Sequence, residues 1–146
     1  MTRINVGISP KLLTDQHLLA EHREIARMRS SFIRWYNSKK RSTIPSKFCL
    51  GEGHVLFFID KGLYTFNRYK QLYKECLHRG FDVTDYSSSW SRYRKKYFNN
   101  YRVTSDDRLL IQQRIATNIK RSSQTPRYYR NNISKRKAIN NINKTK

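Results

Sequence analysis

Apolar side chains recur every three or four residues along three stretches of the sequence, a period that belongs to helices sharing one core. The first stretch follows Thr14 and carries Leu18, Leu19, Ile25, Ala26, Phe32, Ile33 and Tyr36. At about 100° per residue these positions cover an arc of about 140°. Thr14 is placed to cap this helix, and Asp15 lies where the positive end of the helix dipole favours a carboxylate. His17, Glu21, Glu24 and Ser31 fall on the opposite side, with Arg27 and Arg23 further round. A second helix is expected from about Leu63 to Arg79, with Phe66, Tyr69, Leu72, Tyr73, Cys76 and Leu77 on its apolar side and Gly80 as its stop. A third begins at Thr104, has Asp106 and Asp107 in its first turn, runs through Leu110, Ile111, Ile115 and Ile119, and ends at Ser122, Ser123 and Pro126.

The intervening segments read differently. Residues 37–47, NSKKRSTIPSK, form an exposed basic loop, and residues 48–58 are packed, mostly non-sheet chain. Residues 82–103 mix Trp90, Tyr93, Tyr97, Phe98 and Tyr101 with Arg92, Arg94, Lys95, Lys96 and Arg102, an aromatic-basic loop. No internal repeat is visible. A length of 146 residues suits one small domain, and a hydrophobic fraction of 37% that includes 7 Phe, 10 Tyr and 2 Trp supports one aromatic-rich core. The expected fold is therefore all-α, a compact single domain of three main helices with long loops.

The longest apolar run, Val55-Leu56-Phe57-Phe58-Ile59, is far below the ~20 residues that span a bilayer. The N-terminal MTRINVGISPK has no apolar stretch of a secretory signal, so a cytoplasmic protein is expected. Cys49 and Cys76 lie far apart without Cys-x-x-Cys spacing and read as buried thiols.

Charge constrains the partner. With 31 Lys and Arg against 10 Asp and Glu, the formal charge is +21, which suits a polyanion. All the carboxylates lie at or before Asp107, and residues 108–146 hold 11 basic residues and no acid. The residues leave two readings of 131–146. One is a basic tail, disordered without a ligand; the other packs it on the third helix through Ile133, Ile139 and Ile142.

Three blocks of sequence resemble a known family. Met1-Thr2-Arg3-Ile4-Asn5 is followed by Asp15-Gln16-His17-Leu18, Ala20-Glu21 and Arg23-Glu24. A second block holds Phe48, Leu50-Gly51, Gly53-His54-Val55, Phe57-Phe58, Asp60-Lys61, Glu75-Cys76-Leu77 and Arg79-Gly80-Phe81. A third, weaker block holds Gln113, Arg114, Ile119 and Tyr128-Tyr129. Together they resemble the phage pyrimidine-dimer DNA glycosylase/AP lyases of the endonuclease V type, over residues 1–130, leaving 131–146 beyond the resemblance. The resemblance implies double-stranded damaged DNA as partner, cyclobutane pyrimidine dimers as lesion, no cofactor and a monomer. It also implies that the base opposite the lesion is displaced.

It further implies a catalytic pair, Thr2 and Glu24. Once Met1 is removed, the α-amine of Thr2 has a reference pKa of about 7.7–8.0, low enough to act as a nucleophile near neutral pH, and Arg3 disfavours its ammonium form further. By residue type alone Thr2 is a frayed terminus and Glu24 a carboxylate in helix ion pairs. Under the resemblance, Glu24 stabilises the positive charge that develops on the sugar as the base departs. Arg3, Arg23, Arg27 and Arg114 are read as a phosphate clamp, Lys120 and Arg121 as nearby phosphate contacts, and Gln16 and His17 as contacts to phosphate or a displaced base. Tyr128 and Tyr129 are either core edge or a wedge against stacked bases. His17 and Glu21 have i,i+4 spacing but lack further converging ligands, so no metal is expected. Gly51-Glu52-Gly53-His54 fits no phosphate-binding fingerprint and is read as packing.

Two departures keep other functions open. Asn118 stands where the family usually has lysine, and Thr125-Pro126-Arg127-Tyr128-Tyr129 replaces a more aromatic run. A glycosylase/lyase for another modified or mispaired base, or a non-catalytic basic DNA-binding protein of the same fold, remain the alternatives.

Overall fold

The computed structural model describes residues 3–144. Its helices in chain order are α1 (Asp15–Ile25), α2 (Met28–Asn37), α3 (Gly53–Phe57), α4 (Gly62–His78), α5 (Ser105–Arg121) and α6 (Lys135–Asn143). One small antiparallel hairpin, β1 (Arg127–Tyr128) and β2 (Asn131–Asn132), lies between α5 and α6. The chain is thus mostly helical, but the three-helix expectation is too simple.

The first expected helix is broken in two. Arg27 N–H bonds the Glu24 carbonyl at 3.0 Å, an i to i−3 turn, and Ser31 N–H then returns to Arg27 O. Ala26 and Arg27 keep right-handed helical dihedrals through the turn. The apolar stripe therefore continues through Ile25, Met28 and Phe32 across the break. Ile33, Leu77 and Leu110, all assigned to apolar faces, are substantially exposed.

Local signals at the helix ends are well obeyed. Thr14 Oγ1 accepts the His17 N–H, and Thr104 forms a reciprocal capping box with Asp107. Gly80, at φ +83°, ends α4 in the left-handed region, where Phe81 N–H bonds Cys76 O.

The core combines the N-terminal segment (Ile4, Val6, Ile8, Leu13), α1 and α2 (Leu18, Ile25, Met28, Phe32), Phe57, Phe58 and Ile59, α4 (Tyr69, Leu72, Cys76) and α5 (Ile111, Ile115, Ile119). The aromatic-basic segment 82–103 is more ordered than a loop. It contains two short 3₁₀ turns, and its Trp90 and Tyr97 are buried. Cys76 is buried, and burial pushes its thiol up to about 11, whereas Cys49 is only half-buried. No helix of the described residues is long and apolar enough to cross a membrane.

Residues 135–143 form a helix on α5 rather than a tail without a core pattern. Ser134 caps it, and Ala138 and Ile142 are buried. The packed reading through Ile133, Ile139 and Ile142 is the one the structure follows, with Ile142 buried, Ile133 and Ile139 partly buried, and Asn141 also inside the short stripe.

Buried ion pairs tie the layers together. The Arg79 guanidinium bonds Asp15 Oδ1 and Glu75 Oε2, both at 2.8 Å, and reaches the carbonyls of Pro10 and Lys11. Asp15 also accepts the backbone N–H groups of Tyr129 and Arg130. Those residues form the tip of the hairpin, with φ of 50° and 67°, and the carboxylate steadies a left-handed turn built without glycine.

Candidate active site

The N-terminal segment is fastened on three sides before it reaches residue 3. Ile4 N–H donates to His54 Nε2 at 3.0 Å, while His54 Nδ1 lies 3.0 Å from Cys49 O. With Nδ1–H donating to that carbonyl, Nε2 is free to accept. Burial holds His54 down at about 4, reinforced by Arg114, so the imidazole is neutral around pH 7. Asn5 gives its N–H and its Nδ2 to the two oxygens of Glu21, at 3.2 and 2.9 Å. On the third side, Arg114 Nη2 donates to Asn5 Oδ1 at 3.0 Å and to Ile4 O at 3.4 Å.

Glu21 faces inward, not to solvent. Its carboxylate is buried and accepts the Arg68 Nε and Nη2 at 2.8 and 2.9 Å, a bidentate pair, besides the two bonds from Asn5. Burial works against the Arg68 charge, but Glu21 more than offsets it and holds the guanidinium above its ordinary value. Arg68 also bonds the Ile8 carbonyl. With its oxygens occupied in this way, Glu21 is a structural anchor rather than half of an i,i+4 metal pair.

Beside this anchor lies a cavity of about 420 Å³ between the N-terminal segment, α1 and α5. Six of the expected site residues line it: Arg3, Gln16, His17, Glu24, Arg114 and Arg121. Asn5, Ala20, Glu21, Asn118 and Ser122 complete the wall. Glu24, in the last turn of α1, is half-buried. Arg114 is pushed down to about 10, first by desolvation and then by Arg3, and remains a cation at neutral pH. Its Nε–H is buried without a hydrogen-bond partner among the described residues, an unusual state for a buried donor. Burial also lowers His17, which Glu21 opposes and Arg114 and Arg3 reinforce.

The remaining expected contacts do not line this cavity. Arg23 and Arg27 are exposed at the end of α1 and in the turn after it, and Lys120 is exposed on α5. Gln16 reaches the wall but spends its amide on structure, donating to Thr125 O and accepting Arg127 N–H. Tyr128 and Tyr129 are half-buried, their hydroxyls donate to Lys11 O and Glu75 Oε2, and Arg79 packs on both rings. That arrangement is a braced core edge. Thr2 lies outside the described residues.

Sequence reasoning missed Asn5, Glu21, His54 and Arg68 as the framework. One signal was available: Arg68, Glu75 and Arg79 fall in register with the buried Tyr69, Leu72 and Cys76 of α4, and charges on a core face require buried partners.

A cation-walled cavity that holds a half-buried carboxylate, on a small basic helical fold, defines a protein that takes up a polyanion and can stabilise positive charge within it. The family model of pyrimidine dimer DNA glycosylase matches residues 1–88, and the chain belongs to that family. It is accordingly a DNA-repair enzyme of the pyrimidine dimer DNA glycosylase type, with DNA as its substrate. The match includes α1 with Glu24 and the His54 and Arg68 anchors, and it ends before α5.

Proposed function

We propose that the protein excises at cyclobutane pyrimidine dimers in duplex DNA through the Thr2 α-amine and then cleaves the strand as an AP lyase. The observation that carries this reading is the anchoring of Ile4 and Asn5 against the cavity that Glu24 and Arg114 line. In this reading the anchored segment supplies the nucleophile beside the cavity, and holding a reacting group near its target raises its effective concentration.

In this scheme the neutral amine attacks C1′ of the damaged nucleotide, the glycosidic bond breaks, and the base leaves with the bonding electrons and takes up a proton. Glu24 stabilises the positive charge that grows on the sugar. Ring opening gives an imine between C1′ and the Thr2 nitrogen. The imine acidifies the C2′ proton, which Glu24 accepts, and the 3′ phosphate departs by β-elimination. Water then hydrolyses the imine and restores the amine. Arg3, Arg114 and Arg121 hold phosphates in the cavity, and Arg23, Arg27 and Lys120 contact the backbone outside it. The enzyme works as a monomer in the cytoplasm and needs no cofactor.

Borohydride trapping on irradiated, abasic and undamaged duplexes in parallel tests the scheme. A covalent adduct located at Thr2 by mass spectrometry is expected on the first two. Dimer cleavage without such an adduct rejects the amine. A second reading, excision of a different damaged base, is favoured by Asn118 in the cavity wall, where the resemblance expects lysine. Cleavage of another lesion in place of dimers would select it.

A further inference from the structure

Besides residues 108–146, two long stretches of the sequence contain no acid at all. Residues 27–51 carry Arg34, Lys39, Lys40 and Arg41 among their cations, and residues 86–105 carry Arg92, Arg94, Lys95 and Lys96. The fold places these stretches side by side. Phe32 of α2 stacks on Tyr93 with ring centroids 4.2 Å apart, and Trp35 meets Tyr97 edge-on at 5.3 Å. Trp35 Nε1 also donates to Ser42 O at 2.8 Å, which fixes the loop after α2 over its aromatic face.

The two stretches meet at Tyr36. The Arg41 guanidinium lies 4.3 Å from the centroid of its ring, and Arg94, from the other stretch, lies 4.4 Å from the same centroid. Arg41 is further held by Nε–H donating to Tyr36 O and by Nη1 reaching Tyr97 Oη at 3.4 Å. Both arginines are exposed. The ion pairs among the described residues involve Arg68, Arg79 and Lys61, so neither of these guanidiniums is paired to a carboxylate.

Two like charges against one ring repel each other, and the ring's quadrupole compensates only in part. An anion bridging them removes the repulsion. A guanidinium held over an aromatic ring makes no hydrogen bond through that contact, so the N–H groups of Arg94 and those of Arg41 not bonded to Tyr36 and Tyr97 can donate to phosphate oxygens. The flanking Lys39, Lys40, Lys95 and Lys96 are exposed and extend the positive surface. Large exposed apolar side chains, the usual anchors of a protein partner, are found mainly on α4 and α5, with Ile33 alone from these stretches.

We infer that Arg41 and Arg94, stacked on Tyr36, form a second phosphate-binding surface for duplex DNA, separate from the catalytic cavity. None of the three residues lines that cavity. The inference rests on DNA being the substrate and is independent of the amine chemistry.

Equilibrium binding of undamaged duplex across a range of salt concentrations tests it, with wild type beside Arg41→Gln/Arg94→Gln and Arg41→Lys/Arg94→Lys. The Gln pair should bind more weakly, with a salt slope shallower by about 0.9 for each phosphate no longer neutralised. The Lys pair should keep a slope close to wild type. Single-turnover excision on irradiated duplex at saturating protein should be unchanged in both. A Gln pair with the wild-type slope overturns the proposal even if its thermal midpoint falls, because the guanidiniums would then only brace the loops. Loss of polyglutamate binding with an unchanged DNA slope would likewise overturn it, assigning the patch to an acidic protein. A wild type without salt-dependent DNA binding would instead reject DNA as the partner.

Discussion

The Ile4 N–H and the His54 Nε2, 3.0 Å apart, join the N-terminal segment to α3 across 50 residues of sequence. The bond requires a neutral imidazole, and the buried setting supplies one. In the unfolded chain the group titrates near its ordinary 6.5, in the folded protein at about 4. Between those values the unfolded state binds more protons, so stability rises with pH and is lost as pH falls from 6.5 towards 4. At 1.36 kcal/mol per pH unit this single group accounts for about 3 kcal/mol. His17 and His22 are shifted downward by burial as well and act in the same direction. The thermal midpoint should therefore drop from pH 7 to pH 4, and His54→Gln, which cannot titrate, should flatten part of that drop. An unchanged profile in the variant would show that His54 does not hold the segment in its neutral form.

Glu24→Gln should fold normally and bind duplex DNA with little change, because the side chain is only half-buried and, among the described residues, makes no buried ion pair of the kind Glu21 makes. Base excision should fall by about 10²–10³-fold, the usual cost of removing one group that stabilises transition-state charge. Single-turnover excision at saturating protein gives the measurement, and a loss confined to KM would place Glu24 in binding instead.

Arg114 combines a charge, a buried unpartnered Nε–H and hydrogen bonds to Ile4 and Asn5. Inorganic phosphate should occupy the cavity beside it and raise the thermal midpoint. At 100 times its Kd a single-site ligand adds about 2.7 kcal/mol. Arg114→Gln should remove most of the gain, and an equal rise in both proteins would move the phosphate site elsewhere.

Ile142 is fully buried where α6 packs on α5. Ile142→Ala should lower stability by about 2–5 kcal/mol in denaturant unfolding. The salt slope of DNA binding should stay unaltered, since every cation of the C-terminal segment is retained. A normal midpoint would return residues 135–143 to the status of a loosely held tail.

Much of the fold was legible locally. Thr14, Thr104 and Gly80 mark helix ends through capping bonds and left-handed dihedrals that depend on neighbouring residues, and they act as read. The break at Arg27 was not legible, because an i to i−3 turn preserves the apolar stripe from Ile25 to Phe32. The six cavity residues could be named from resemblance in sequence, but not their company. Arg3 and Arg114 meet only because α5 crosses the N-terminal segment.

What the sequence determined by itself is the helical period, the caps, the uncompensated positive charge and the residue types able to do amine and carboxylate chemistry. Each follows from positions a few residues apart or from composition. Tertiary structure alone decided that Glu21 is an anchor while Glu24, three residues on, faces a cavity. It also decided that Tyr128 and Tyr129 are braces, and that two acid-free loops share one tyrosine. The physical reason is common to all of these. Whether a charge or ring is buried, paired or free depends on partners 47 residues away, as for Arg68 and Glu21, and only packing brings such partners together.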